Sequence, residues 1–233
     1  MSIDFGSSPT VFGLSAMSIL IHVIQTVSTS NSYRMLEIVN PAAVNTNERY
    51  LVQLNATNDA KNFSYFRTST VNTGGEWRSN SNTIPLSTLK HIGITHDMSS
   101  INNDPVFYVD GVAVTANEIN APSGAWRTTG ATNCYLGGRS TVASPYGTLF
   151  GVLIYNRVFS AAEMLSAALS KKFIPTYSGL VFAPNLNGPA GGLADGATMA
   201  AGNTIRDLVS GATGTPAGSP VFKHNTILTL GGE

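Results

Sequence analysis

The chain has 233 residues, enough for one large all-β domain or two small ones. Only 11% of residues are charged and 42% are hydrophobic, so Ser, Thr, Asn and Gly must supply the polar surface, which argues against coiled coils and helix bundles. Lys plus Arg is 13 and Asp plus Glu is 13, giving zero net charge and no general basic footprint for nucleic acid.

In chain order, Ser2 to Pro9 reads as a short strand followed by a turn. Ser18 to Thr29 alternates, with Ile19, Ile21 and Val23 on one face and Leu20, His22 and Ile24 on the other, so both faces are expected to be partly covered. The apolar run Met17 to Ile24 is internal, contains His22, lacks a basic lead-in and is too short for a membrane span. It reads as a buried strand, and no signal peptide is expected. Tyr33 to Val39 is the next strand. In Arg49 to Asn55, Tyr50, Val52 and Leu54 point inward against Arg49, Leu51 and Gln53.

Asn62 to Val71 is a further strand, with Phe63, Tyr65 and Arg67 on one face. A turn at Asn72 to Gly75 precedes Trp77, and Ile84-Pro85-Leu86 leads into the strongest pattern of the chain. There, Leu89 to Asp97 places Ile92, Ile94 and His96 on one face. Ser99 to Pro105 breaks the ladder. Val106 to Val109 and Val112 to Val114 flank Asp110-Gly111, a dipeptide that favours the positive φ angles of a tight hairpin. Asn117 to Ala131 reads as a loop containing Trp126. Cys134 to Leu136 and Leu149 to Tyr155 are strands. Ser160 and Glu163 have capping-box spacing for a helix from about Ala161 to Lys172, stopped by Pro175. Strands every 10 to 15 residues are the spacing of a sandwich.

Four segments carry a resemblance. Leu89 to Asp97 with Val106 to Val114, then Cys134-Tyr135-Leu136-Gly137-Gly138, then Val152 to Met164, fall in the order of a laminin-G-like, concanavalin A-like jelly roll. Phe5-Gly6-Ser7-Ser8 resembles the opening before its first core strand. The resemblance covers roughly residues 10 to 175 and implies an all-β jelly-roll sandwich with one short helix near 161–172. Gly179-Leu180-Val181, Arg206-Asp207-Leu208, Gly214-Thr215-Pro216 and Gly218-Ser219-Pro220-Val221 resemble a segment that usually precedes the first core strand, yet here they stand at the carboxyl end. The expected organisation is therefore a laminin-G-like sandwich over 1–175. A Gly/Pro-rich tail over 176–233 would complete that sandwich or reach a neighbouring subunit.

Enzymes of this fold place catalytic carboxylates in a Glu-x-Asp-x-Glu run, and the chain has none, so no catalytic residue is assigned. Asp110 reads as a turn former. Calcium is the resembled family's common cofactor. Asp97, Asn102, Asn103 and Asp104 could offer oxygens, but no spacing demands a metal, and no metal or cofactor site is assigned. His22, His91, His96 and His224 form no ligand set; His91 stands where the resembled family has a core histidine, which implies a packed, hydrogen-bonded role. Cys134 is the sole cysteine, so no intrachain disulfide exists and a reducing compartment fits. It reads as buried and inert.

Trp77, Trp126 and Tyr146 are the candidate contacts for a glycan or a partner. The competing expectation is that Trp126 plugs the sandwich edge and Trp77 packs beneath a loop. Asn55-Ala56-Thr57 and Asn62-Phe63-Ser64 match the glycosylation sequon. The resemblance extends to laminin-G-like proteins of tailed bacteriophages. It implies a non-enzymatic virion structural protein, such as a capsid decoration, assembled in the host cytoplasm. Its partners would be copies of itself and a major capsid or other virion protein. The alternative is a lectin-like carbohydrate-binding module attaching to a surface glycan. Neither a nucleic-acid nor a membrane partner is expected.

Overall fold

A computed structural model describes residues 2–7, 11, 13–26, 33–39, 49–55, 61–70, 74–127, 133–137, 147–170, 178–186, 197–200 and 202–217. Two antiparallel sheets face each other. The larger has nine strands in the order β10 (Ala116–Asn120), β6 (Gly75–Ser79), β5 (Asn62–Arg67), β4 (Arg49–Asn55), β3 (Tyr33–Val39), β11 (Asn133–Leu136), β1 (Ser2–Asp4), β15 (Thr213–Ala217) and β14 (Ile205–Arg206). The smaller has six, in the order β13 (Leu180–Phe182), β12 (Gly147–Tyr155), β2 (Ala16–Gln25), β7 (Leu89–Asp97), β8 (Val106–Val109) and β9 (Val112–Val114).

The core follows from alternation. Cross-strand register sets Val152, Ile21, Ile92 and Val109 in one row of the smaller sheet, and Ile154, Ile19, Ile94 and Phe107 in the next. These meet Tyr50, Val52, Leu54, Phe63 and Tyr65 of the larger sheet, all buried. The opposite face of the smaller sheet is covered too. Leu20, Tyr108, Leu153 and Tyr155 form a second core with Met164 and Ala167 of α1 (Ala161–Leu169). Gly93 makes this packing fit: a Cβ there would lie 2.8 Å from Met164 Sδ.

The Asp110-Gly111 turn has φ of 52° and 80°, the left-handed pair that a two-residue hairpin requires. Ser160 and Glu163 form both halves of the capping box. The helix is shorter than the sequence predicts. It stops at Leu169, because Ser170 is extended, at ψ 127°, and only its N–H turns back, to Ser166.

Two expectations are corrected. Residues 117–131 are not all loop, because Ala116–Asn120 pairs with Gly75–Ser79 as β10. Residues around Trp77 form β6, a strand beyond those expected from the sequence. Only Thr115 separates β9 of one sheet from β10 of the other, so the chain crosses between sheets at that edge.

At the far edge, β13 pairs with β12, and β15 pairs with β1. Just beyond β13, Ala183 O accepts from Leu208 N, and Asn185 N donates to Arg206 O. The strand thus leaves the smaller sheet and meets the edge of the larger. Buried Asp207 fixes this crossing by accepting from the backbone N–H groups of Ala183, Val209 and Ser210 and from the Ser210 hydroxyl. Phe5 packs edge-on against Phe182 at 5.1 Å, joining the segment after β1 to β13.

Candidate functional site

Both tryptophans face inward. Trp77 is fully buried and donates from Nε1 to Asp104 Oδ1 at 2.9 Å. Trp126 is 8% exposed and donates to Ser100 O at 3.0 Å. His96 lies between the two indoles, with ring centroids at 5.5 and 5.3 Å. Its Nε2 is 2.9 Å from Asn103 O, a pure acceptor, so a neutral ring carries its proton on Nε2. Nδ1 then accepts from the Tyr65 hydroxyl at 3.2 Å. Burial pulls the His96 pKa down to about 4. Three ring nitrogens therefore clamp the turn at 98–105, and neither indole offers a face for a sugar in this conformation. Tyr146 lies outside the described residues.

The same end of the sandwich buries Arg67. Its Cζ sits 3.7 Å over the Tyr50 ring, and Nη2 donates to Arg127 O at 2.7 Å. Burial pushes the Tyr50 phenol up to about 12, against the pull of Arg67. The residues read as potential calcium oxygens are engaged separately. Asp97 Oδ1 accepts from Ser99 N, Asn102 N donates to Ser100 Oγ, Asn103 Nδ2 donates to Ser99 Oγ, and Asp104 holds Trp77. No group of three or more His, Cys, Asp or Glu able to hold a metal occurs among the described residues.

His91 is buried on the outer face of the smaller sheet, packed edge-on against His22 at 4.6 Å. Neither of its ring nitrogens has a hydrogen-bond partner among the described residues, so the expected hydrogen-bonded role is corrected to packing alone. Burial lowers its pKa to about 3 and that of His22 to about 4. Cys134 is buried, and desolvation raises its thiol pKa. The Asn62 sequon is inaccessible, because its side chain is buried and donates to Ser79 O at 3.0 Å.

The polar surface with chemical capacity is the outer face of the nine-stranded sheet. Pairing aligns Asn120, Glu76, Phe66, Leu51, Glu37, Tyr135, Asp4 and Thr215 in one row across eight strands. Asn117, Arg78, Ser64, Gln53 and Arg34 form a second row beside it. Two bulges create this alignment. Arg34 and Glu37 are three apart, which would place them on opposite faces of a regular strand. A bulge between Arg34 and Leu36 brings both outward. A bulge between Glu118 and Asn120 does the same for Asn117 and Asn120.

These side chains are held before any ligand arrives. Arg34 Nη1 bonds Glu37 Oε1 at 2.6 Å, with the Glu37 side chain fully buried. Arg78 Nη2 bonds Glu76 Oε1 at 2.8 Å, Arg78 Nε donates to Ser64 Oγ at 3.2 Å, and Asn120 Nδ2 donates to Glu76 Oε2 at 2.9 Å. Leu51 and Glu37 are buried, so the accessible part nearest an aromatic is the flank around half-buried Phe66. Sequence alternation could have found Phe66, since Phe63, Tyr65 and Arg67 all turn inward. Glu76, Arg78 and Asn120 gave no sequence signal.

Residues 10–164 match a laminin G family model described as the concanavalin A-like lectin/glucanases superfamily. No curated protein sequence matches the chain. Among solved structures, a candidate carbohydrate-binding protein from Bacteroides ovatus superposes at TM-score 0.63 and 14% identity, covering 96% of this chain and 58% of that one. The present chain thus spans little more than half of that protein's length. The CBM40 of the Ruminococcus gnavus IT-sialidase, bound to α2,3-sialyllactose, matches at TM-score 0.54 and 18% identity, over 68% of this chain and 85% of that one. The heptameric SAP-like pentraxin of Limulus polyphemus matches at 0.51 and 10%, over 96% and 89%. At these identities the likeness is one of fold.

Proposed function

Since the chain belongs to the concanavalin A-like lectin/glucanases superfamily, we propose that it is a non-catalytic, lectin-like module that binds carbohydrate on the outer face of its nine-stranded sheet. The observation carrying this reading is the set of polar side chains fixed on that face, where Arg78 and Asn120 hold the two oxygens of Glu76 and Ser64 holds Arg78. Oriented polar atoms of this kind are what recognise sugar hydroxyls. Two neighbours of the same fold, from Bacteroides ovatus and Ruminococcus gnavus, are described as carbohydrate-binding, which supports the reading.

Glu76 and Glu37 of this face do not form a hydrolytic pair. Glu76 and Glu37 stand three strand spacings apart in the same row, about 14 Å at ~4.8 Å per strand. Glycoside hydrolysis needs two carboxyl groups about 5–9.5 Å apart. Each is also tied to its own arginine. The test is a glycan array followed by calorimetry on the full chain and on Arg78→Ala. Saccharide binding that weakens at least about tenfold in the variant, with unchanged folding, is the expected result. An array with no bound saccharide overturns the reading.

A second reading, an assembly component that binds copies of itself and other virion proteins, draws on a different surface. Leu165 and Leu169 of α1 and Val112 of β9 are exposed, Leu169 by 73%, and helix and strand lie against each other beside the edge of the smaller sheet. Its test is the solution mass by light scattering: a stable oligomer that Leu169→Glu dissolves supports it, and a monomer at high concentration overturns it.

A further inference from the structure

We infer that the turn over residues 98–105 is an acid-released latch: proton uptake at His96 frees the turn and bares the indoles of Trp77 and Trp126. The device goes beyond the carbohydrate-binding reading above and does not depend on it. The turn contains neither helix nor strand, and Ser99, Asn102 and Asp104 are exposed. Within it the bonds are long. Asn102 N donates to Ser100 Oγ at 3.2 Å, and Asn103 donates from N to Ser100 O and from Nδ2 to Ser99 Oγ, both at 3.4 Å. Its shorter bonds tie it to the rest of the fold. Met98 N donates to Ser15 O at 2.8 Å, and ring nitrogens of His96, Trp77 and Trp126 donate to Asn103 O, Asp104 Oδ1 and Ser100 O at 2.9, 2.9 and 3.0 Å. Of these three rings, His96 is the one that can take a second proton.

That proton goes from solvent to Nδ1, where the fully buried Tyr65 hydroxyl donates in the neutral state. Two hydrogens then face each other, and the hydroxyl must turn away from its acceptor. The ring also becomes a buried cation, which has to be hydrated or paired. Trp77, Trp126 and Tyr65 enclose it on the inner sides and are buried, so water reaches it by opening the turn. The titratable and charged groups facing the ring are Tyr65 and Arg67 of β5, Asp104 of the turn and Asp97 of its own strand; β2 faces it with Met17, which does not titrate. Burial first, and then the Arg67 charge, hold the His96 pKa down to about 4, against the pull of Asn103 O and the two carboxylates. In the opened turn the hydrated ring returns to its ordinary 6.5. The open form therefore binds more protons between those values, and its share rises about a hundredfold from pH 7 to pH 4.

The experiment is hydrogen exchange of the indole Nε1–H groups, followed by NMR on the full chain at pH 7 and pH 4 and corrected for the intrinsic rate at each pH. The chain has two tryptophans, so both signals report this cluster. The expected result is that indole protection falls about a hundredfold, while the amides of Ile19 and Ile21 in β2 stay at least about tenfold better protected, which marks a local opening and not global unfolding. In His96→Gln, which cannot take the proton, the fall should shrink at least about tenfold. Tyr65→Phe removes the hydroxyl that satisfies Nδ1, so its fall should begin at higher pH; it decides the matter if His96→Gln does not fold. Indoles as well protected as the β2 amides at pH 4, an equal fall in folded His96→Gln, or an unmoved onset in Tyr65→Phe overturns the inference, and none of these touches the carbohydrate-binding reading.

Discussion

Acidification is expected to loosen the clamp around His96, and its size can be worked out. The ring is buried between Trp77 and Trp126, and its pKa is about 4, against an ordinary value of 6.5. A depressed histidine pKa means that the folded state prefers the neutral form. The unfolded chain therefore binds more protons between pH 6.5 and 4, and stability falls as pH drops through that window. From pH 7 to pH 5 the linkage relation gives a loss of about 2 kcal/mol from His96 alone. His22 and His91, with pKa values of about 4 and 3, act in the same direction. The measurement is urea denaturation followed by tryptophan emission at both pH values, on wild type and His96→Gln. Glutamine can keep the donor to Asn103 O but does not titrate. Whatever stability the substitution costs at pH 7, its further loss at pH 5 should be smaller by about 2 kcal/mol. Asp97 and Glu163, both held low by hydrogen bonds led by the Ser99 and Ser160 N–H groups, stay ionised above pH 5 and contribute equally to both proteins. An identical pH dependence in the two proteins would refute the argument.

Truncation after Pro175 removes β13, β14 and β15, exposing the ladder edges of β12 and β1 and part of the core around Phe182. The shortened chain is expected to aggregate or to lose its cooperative transition; a folded monomer by light scattering and denaturation would show that the sandwich does not need the tail. Ser160→Ala deletes the side-chain half of the capping box at the start of α1, leaving the backbone N–H of residue 160 to Glu163, and should cost about 1 kcal/mol in urea denaturation. A loss under a few tenths would mean that packing of Met164 alone places the helix.

Much of the interior was legible from alternation, because it depends on neighbouring residues only. Ile19, Ile21 and Val23, and Ile92, Ile94 and His96, face the core as their spacing requires. The Asp110-Gly111 turn and the Ser160–Glu163 cap are also local chemistry, and both stand where the sequence places them. Both indoles are buried, as the competing expectation has it, but the partners that bury them were not legible. Trp77 turns inward because β6 pairs with β5 and stacks its ring on Tyr65, a cross-strand contact that the residues next to Trp77 do not announce.

The candidate face was hidden for a related reason. Arg34 with Glu37, and Asn117 with Asn120, share a face only because each strand carries a bulge against its partner. A bulge is a property of a pair of strands, so neither sequence segment contains it alone. The tail shows the same division. Its Gly, Pro and Asp residues mark turns in the sequence, but the pairing of β13 with β12 and of β15 with β1 joins segments far apart along the chain. Local chemistry determined the strands, the turns and the inward faces. Tertiary pairing decided which polar side chains stand together, because register between strands is set by the whole sandwich.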